Sequence, residues 1–170
     1  NEIDLAQFRG WYRQAGTPIL QCSGRYDAAF RTFTLEVEQY CPPTPGQDVK
    51  YPCHLPLKVG LLDSEGKDIR FPVVGLDVAS IDQVGQSFSV VLNVTGPKQE
   101  FVFRGLDKAP VPSLLRGYSA PVKLEYAYDR DELTFLMNHD SDGFNRWEAG
   151  QRLAVDVIQE VVQQIEAGAT

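Results

Sequence analysis

Residues 54–61 read His-Leu-Pro-Leu-Lys-Val-Gly-Leu, with leucine or valine at every second position. Such alternation places apolar side chains on one face of a β-strand and the intervening residues on the other face. Similar strand patterns occur before and after this stretch, at Phe33–Val37, Phe88–Val94, Phe101–Phe103 and Leu114–Tyr126. Short strands with no helical pattern between them are typical of an antiparallel β-sandwich.

Turn residues separate these strands. Asp63-Ser-Glu-Gly-Lys67 is a turn signal, and we expect Ile69-Arg-Phe71 to pair with the strand before it as a hairpin. Cys41-Pro-Pro-Thr-Pro-Gly46 predicts a stiff loop, because proline cannot donate a hydrogen bond to a neighbouring strand. Together these patterns predict a mainly β sandwich domain over residues 17–127.

The N-terminal segment follows a helical period instead. Its apolar residues have helical spacing, Asp4 can cap the helix, and Gly16 and Pro18 end it; the apolar residues are Leu5, Phe8, Trp11, Tyr12 and Ala15. A short aromatic helix needs a partner surface, either the sandwich itself or a preceding domain. Because the chain begins inside the pattern, we expect residues 1–16 to be the last helix of a preceding domain.

Two helices are predicted over residues 128–170. Asp129 and Glu132 form a capping box for the first helix, and Asp142 can cap the second. The second helix has an apolar stripe between residues 144 and 165, which either packs on the sandwich or meets a helical domain beyond it. We favour a following helical domain, and we expect the exposed stripe to cause artefactual self-association of the isolated chain.

Composition excludes several classes of protein. The chain has 170 residues, a net charge of −7 and a pI near 4.8, which argues against sequence-independent binding to nucleic acid. No apolar run reaches the roughly 20 residues of a membrane span. The chain starts at Asn1 and its only methionine is Met137, so we expect a piece of a longer protein.

The cysteines favour a reducing compartment. Cys22, Cys41 and Cys53 are odd in number and lack Cys-x-x-Cys spacing, so we expect free structural thiols. A single pair, such as Cys41 with Cys53, stays open.

The histidines and acidic residues do not form a recognisable site. His54 is expected to face solvent in a strand, and His139 to lie at a helix C-terminus. Residues 138–143 resemble the start of a calcium loop, but the twelfth position is Ala149 where glutamate is required. We therefore interpret Asp142 in that stretch as a helix cap, and Asp129/Asp131 as residues of a helix start.

Other motifs are equally weak. Asn93-Val-Thr95 matches a glycosylation acceptor, yet alternation makes it an ordinary strand face. Ser113, Ser119 and Ser141 lie in no Gly-x-Ser-x-Gly motif, and there is no nucleotide-binding glycine loop. The sequence thus predicts no catalytic, cofactor-binding or metal-ligating residue.

One long stretch resembles a known family. Residues 110–126 read Pro-Val-Pro-Ser-Leu-Leu-Arg-Gly-Tyr-Ser-Ala-Pro-Val-Lys-Leu-Glu-Tyr, followed by Leu-Thr-Phe-Leu-Met at 133–137 and His-Asp-Ser-Asp-Gly-Phe-Asn-Arg-Trp-Glu-Ala-Gly-Gln-Arg-Leu at 139–153. These residues resemble bacterial aminopeptidase N, a zinc-dependent metallopeptidase of the thermolysin-like group. Asp4–Pro18 and Tyr40–Gly46 are also similar to that family.

The resemblance implies four domains in the parent protein. Residues 1–16 would end its catalytic domain, 17–127 would form its immunoglobulin-like sandwich, and 128–170 would begin its helical C-terminal domain. Those two flanking domains would be the partners, and Phe8, Trp11 and Tyr12 would face the catalytic one. The parent would be cytoplasmic, either free or attached peripherally to the inner membrane.

The family's zinc motif is missing from this sequence. Neither His54 nor His139 is followed by Glu-x-x-His, and no Gly-x-Met-Glu-Asn segment is present. The resemblance therefore implies zinc in the parent but no cofactor in this chain. We expect a non-catalytic linking module of an enzyme that removes N-terminal residues from peptides.

Two alternatives remain open. A stand-alone sandwich could bind peptide or carbohydrate through aromatic residues, for which the sequence offers Tyr26, Tyr40, Tyr51 and Tyr118. A small hydrolase with an unrecognised site is the third interpretation.

Overall fold

A computed structural model describes residues 5–73 and 75–168. Among these residues, eight strands form two sheets of four strands each. In chain order the strands are β1 (Ile19–Asp27), β2 (Thr32–Tyr40), β3 (Leu55–Leu62), β4 (Val78–Val84), β5 (Ser87–Val94), β6 (Lys98–Arg104), β7 (Val111–Leu114) and β8 (Lys123–Tyr126). Two helices follow, α1 (Arg130–His139) and α2 (Gly143–Glu166). The predicted mainly β sandwich with two C-terminal helices is confirmed.

The two sheets differ in one pairing. One sheet has the order β4-β5-β3-β7 and is antiparallel throughout. The other has the order β6-β2-β1-β8, in which β8 runs parallel to β1 while the remaining pairs are antiparallel. The parallel pair places the start of the helices beside the first strand of the sandwich.

The core forms where the inner faces of the sheets meet. The predicted alternation in β3 is confirmed, since Leu55, Leu57, Val59 and Leu61 are all fully buried. From Val59 onward, β3 is buried on both faces. Its second face is covered by the side chain of Arg116 and by residues of both helices, as described below.

Two strands were not predicted from the sequence. The second half of β1 is mostly polar and exposed, and it contains Gly24. It therefore lacks a continuous pattern of apolar residues. Along β4, every residue is exposed or only partly buried, so it lacks the apolar alternation that marks a half-buried strand.

The hairpin predicted for Ile69–Phe71 forms only at the residues next to its turn. The backbone N–H of Ile69 donates to the carbonyl of Leu61, but beyond a single bridge at Asp68 no strand forms. Instead, the Phe71 ring packs edge-on against the rings of Phe88 and Phe103, with centroid separations of 5.0 Å in each pair. Core packing of this ring takes precedence over strand pairing.

The N-terminal segment docks on the sandwich. It contains a 3₁₀ helix at Phe8–Tyr12 in place of the expected longer helix, and the suggested cap Asp4 lies outside the described residues. The indole N–H of Trp11 donates to the carbonyl of His54 at 3.1 Å, and its ring packs against the sandwich core. The expectation that Trp11 faces a preceding domain is therefore wrong, whereas Phe8 and Tyr12 are exposed.

Local capping starts both helices as predicted. Asp129 Oδ1 accepts from the N–H of Glu132 at 2.7 Å, and Glu132 Oε2 accepts from the N–H of Asp129 at 3.0 Å. Asp142 Oδ1 accepts from the N–H of Asn145 at 2.9 Å and caps α2. In the part of the chain that the structure describes, neither helix is long and apolar enough to cross a membrane.

Replacing Gly24 with alanine should destabilise the sandwich. A Cβ atom at this position would lie 2.5 Å from Cζ of Phe33 and 2.6 Å from Oη of Tyr126, so core aromatic rings would have to move. We expect Gly24→Ala to lower the free energy of unfolding by about 1–3 kcal/mol in urea denaturation. Gly10→Ala is the matched control. Apart from its neighbours in the chain, no described residue has an atom within 4 Å of the Cβ that Gly10 would gain. Equal stability of the two variants would contradict the packing argument.

Candidate functional site

The most unusual side chain of the structure is a buried arginine. Arg116 follows β7 and is 1% exposed. Its neighbours Leu115, Gly117 and Tyr118 all have left-handed backbone, with φ values of 59°, 61° and 52°. Only glycine adopts this region without cost, so two of these three residues are held there by the surrounding structure.

The Arg116 guanidinium has an acceptor in every direction. Nη2 and Nη1 donate to the two carboxylate oxygens of Asp68 at 2.7 and 3.0 Å. Nη2 also donates to Asp140 Oδ1 at 2.9 Å, Nε to Ser113 Oγ at 2.8 Å and Nη1 to Ser89 Oγ at 3.0 Å. Guanidinium has five N–H donors, and a buried charge is tolerated only when such donors are satisfied. We call Arg116 with these four partners the arginine network.

The arginine network joins the sandwich to the helices. Asp68, Ser89 and Ser113 belong to the sandwich, whereas Asp140 directly follows the last residue of α1. The side chains of Asp68 and Asp140 are 1% and 0% exposed. Ser113 Oγ donates to Asp140 Oδ2 at 2.5 Å, so the two parts are also linked without the arginine.

Two further polar side chains extend the contact between helices and sandwich. Asn145 Nδ2, in the first turn of α2, donates to Ser113 Oγ at 2.8 Å and to the Leu114 carbonyl at 2.9 Å. Ser141 Oγ, between the helices, donates to Asp68 Oδ2 at 2.7 Å. The C-cap of α1, the residue between the helices and the first turn of α2 are thus all bonded to the sandwich.

The two carboxylates of the arginine network have opposite pKa shifts. Burial opposes ionisation of Asp68, but hydrogen bonds from Arg116, from the Phe88 N–H and from Ser141 outweigh it, so its pKa is lowered. Burial dominates at Asp140 and raises its pKa, despite the Arg116 charge and the Ser113 hydrogen bond. Asp68 has the bidentate contact with Arg116, whereas Asp140 accepts a single hydrogen bond from it.

Gly60 leaves the space that Arg116 occupies. A Cβ atom on Gly60 would lie 2.1 Å from Cζ of Arg116 and 2.2 Å from Nη1. Any larger side chain at this position of β3 would therefore displace the guanidinium. This glycine, on the face of β3 opposite Val59 and Leu61, is a site of close approach between strand and arginine.

An apolar cluster lies beside the arginine network. Leu62 at the end of β3 packs with Leu133, Leu136 and Ala149 of the helices. Tyr128 donates its hydroxyl to the Pro112 carbonyl at 2.8 Å, which fixes the chain between β8 and α1. The helices are therefore docked by apolar contact as well as by charge.

Neither histidine has a catalytic arrangement among the described residues. His54 immediately precedes β3, so its expected place within a strand is corrected, and its Nε2 lies 3.0 Å from Asn93 Oδ1. His139 is the last residue of α1, as expected, with its ring 4.8 Å from that of Phe135.

The calcium-like stretch divides into two roles. Asp142 caps α2 as predicted. The sequence analysis gave Asp140 no role of its own. In the structure it is part of the arginine network. Of the serines considered, Ser113 and Ser141 contact the network, whereas Ser119 Oγ accepts from the N–H of Lys58 at 2.9 Å.

The residues that the structure describes do not fit a zinc ion. Within residues 5–73 and 75–168, no three His, Cys, Asp or Glu side chains form a group that could hold a metal. Cys22, Cys41 and Cys53 are free thiols, and burial raises the pKa of Cys22 to about 12. These residues therefore provide no set of ligands for zinc.

The tyrosines do not share one surface. Tyr40 and Tyr51 line one cavity, whereas Tyr118 lines another beside Phe144. Tyr26 donates its hydroxyl to the Leu106 carbonyl at 2.9 Å. The structure therefore does not bring all four tyrosines considered for ligand binding to one surface.

A family model agrees with this architecture. The model of a domain of unknown function with an Ig-like fold, DUF3458, matches residues 16–127. The chain belongs to this family. A second model, DUF3458_C, described as ARM repeats, matches residues 130–170. The arginine network thus joins the DUF3458 sandwich to the segment that the second model matches.

Sequence relatives confirm the resemblance to aminopeptidase N. The chain is 40% identical over 168 residues to aminopeptidase N of Escherichia coli K12, and 39% identical to that of Haemophilus influenzae. Each alignment covers 99% of this chain but 18% of the relative, so the chain spans less than a fifth of those proteins.

A solved structure is also similar to the DUF3458 chain. Aminopeptidase A of Legionella pneumophila, crystallised in complex with aspartic acid, has a TM-score of 0.71 and 28% identity. The match covers 94% of this chain and 16% of that one.

Substituting Arg116 should uncouple the two parts of the structure. Arg116→Met leaves Asp68 and Asp140 buried without their cation, which typically costs about 3–5 kcal/mol. The triple variant Arg116→Met, Asp68→Leu, Asp140→Leu should regain much of that loss, because no buried charge remains. Urea denaturation followed by circular dichroism measures both. A triple variant less stable than Arg116→Met would contradict this account.

Asp68 should make stability depend on pH. Its folded pKa is lowered, so its contribution is complete above the unfolded pKa and is lost as the pH falls through the folded value. We expect Asp68→Asn to be less stable than the parent chain at pH 7, and the difference to shrink as the pH falls below about 4. Urea titrations at several pH values measure this, with Asp107→Asn at an exposed ion pair as control. A difference that is constant with pH would contradict the assignment.

Proposed function

We propose that this chain is the non-catalytic linking module of a zinc-dependent aminopeptidase N, a longer protein that removes N-terminal amino acids from peptides. The similarity to aminopeptidase N along almost the whole chain supports this, as does the small share of those proteins that the chain spans. Zinc would be bound by other parts of the parent protein. We propose a cytoplasmic location for the parent, in keeping with three free thiols.

The proposed boundaries lie near Gly16 and Tyr128. Residues 1–16 would belong to the catalytic domain, 17–127 to the sandwich and 128–170 to the helical domain. Two family models that meet between residues 127 and 130 support the second boundary. The catalytic and helical domains of the same polypeptide would be the partners of the sandwich.

The observation that carries the linking role is that both flanks are fixed to the sandwich. The arginine network and the Leu62 cluster hold the helices. On the other flank, Gln14 pairs with the backbone of Tyr51 through bonds of 2.8 and 3.1 Å, and Trp11 bonds to His54. A module with two fixed flanks sets the relative position of the parts attached to them.

The surface of α2 supports attachment of further helices. Trp147, Ile158 and Ile165 are 58%, 61% and 66% exposed. ARM-type repeats stack on their neighbours, and each repeat buries its apolar face against the next. Further repeats of the parent would cover this surface. Without them, the isolated chain should self-associate through residues 144–165.

The isolated chain should be inactive as a peptidase. We expect no hydrolysis of alanyl or leucyl p-nitroanilide and far less than one zinc ion per chain after purification, because no described residues form a metal site. Full-length aminopeptidase N of E. coli, assayed in parallel, is the positive control. Hydrolysis that co-purifies with the chain would refute the non-catalytic role.

The linking role is tested in a longer protein that includes this chain. There, Arg116→Met should shorten the half-life of peptidase activity at elevated temperature while KM at low temperature stays unchanged. The substrate site would be intact but the docking of the helices weakened. Asp107→Asn, at an exposed ion pair that does not hold the helices, should keep the half-life of the unmodified protein and so controls for a general loss of stability. An unchanged half-life in Arg116→Met would contradict the linking role.

A further inference from the structure

Cys41 and Cys53 lie at one end of the sandwich. Cys41 directly follows β2 of one sheet, and Cys53 comes two residues before β3 of the other sheet. Both line one cavity of about 220 Å³, where Cys41 is partly exposed and Cys53 is nearly buried. Cys22, in contrast, lies in β1 and does not line this cavity.

The Gln39 side chain places Cys53 beside the end of β2. Gln39 Nε2 donates to the Cys53 carbonyl at 3.0 Å, and Gln39 Oε1 accepts from the Cys53 N–H at 2.9 Å. Cys41 lies two residues beyond Gln39, directly after the end of β2. The segment that carries Cys53 therefore lies beside the end of the strand that leads into Cys41.

Both sulfur atoms also contact the same dipeptide. Cys53 Sγ accepts from Gln14 Nε2 at 3.7 Å, and Cys41 Sγ donates to the Ala15 carbonyl at 3.7 Å. Burial raises the pKa of the Cys53 thiol, and neighbouring Cys41 raises it further. The two thiols are thus close neighbours at the point where the N-terminal segment docks.

We propose that Cys41 and Cys53 are an oxidative modification site, a dithiol that an electrophilic two-electron oxidant closes into an intramolecular disulfide. The partly exposed Cys41 reacts first. With the azo compound diamide, the Cys41 thiolate adds to one nitrogen of the N=N bond and the other nitrogen takes a proton. The Cys53 thiolate then attacks Cys41 Sγ, the S–S bond forms, and the S–N bond breaks to release the hydrazine after it takes a second proton.

The bond would join the two sheets across a stiff loop. Residues 42–52 include four prolines, which restrict the ends of the loop even before oxidation. Closing the loop removes conformations from the unfolded chain, so oxidation should raise Tm by roughly 5 °C. This inference does not depend on the proposed peptidase parent.

Mass spectrometry of the 170-residue chain tests the proposal. The reduced chain is treated with diamide at low protein concentration, then blocked with N-ethylmaleimide in denaturant and digested without reductant. We expect a monomer lighter by two hydrogens before blocking, a Cys41–Cys53 linked peptide and a single maleimide on Cys22. Cys22→Ser should behave like the parent chain, whereas Cys41→Ser and Cys53→Ser should keep the reduced mass.

Three results with the parent chain would overturn the proposal. They are an unchanged mass in the oxidised parent, a disulfide that includes Cys22, and disulfide-linked dimers in place of the monomeric product. The conservative serine variants also control for folding, because each should give the same circular dichroism spectrum as the reduced parent. Loss of the product in Cys22→Ser would contradict the assignment as well.

Discussion

A guanidinium group removed from water can remain charged only if all of its donors find acceptors, and this requirement organises the centre of the molecule. Arg116 meets it with two carboxylates and two hydroxyls, most of them distant in sequence. Its position in turn requires glycine at position 60 of β3 and a left-handed turn around Gly117. A local conformational cost is thus accepted so that one long-range set of hydrogen bonds can form.

The arginine network contributes more to the orientation of the helices on the sandwich than to the stability of the fold. Replacing a buried ion pair by well-packed apolar residues is often neutral or favourable, so charge alone does not explain why such groups occur. A bidentate contact to Asp68 and a single contact to Asp140 fix direction as well as distance. The apolar cluster around Leu62 holds the helices near the sandwich, and the network determines how they are oriented.

Local patterns were readable from the sequence, and long-range ones were not. Alternation revealed β3 and β5, and the spacing of Asp129 and Glu132 revealed the start of α1, because each signal lies within a few residues. β4 escaped prediction because, at the edge of its sheet, it buries little of its side-chain surface. The arginine network has no local signal, since Asp68 and Asp140 are 48 and 24 positions from Arg116. Its nearest hint was Gly60, a residue without a side chain on the same face of β3 as Pro56 and Lys58.

Because α2 is much longer than α1, a small tilt at its start becomes a large displacement at its end. With 24 residues it is about 36 Å long, whereas α1 with 10 residues is about 15 Å. Bonds from Arg130 to Asp156 and Glu160 brace its middle, and beyond them it projects without support from α1. A tilt of about 10° at Asp142 would move the far end by roughly 6 Å, more than one helical turn of rise. Small angular errors at the buried arginine are therefore magnified at Ile165, which makes directional bonds at the pivot more valuable than additional apolar area.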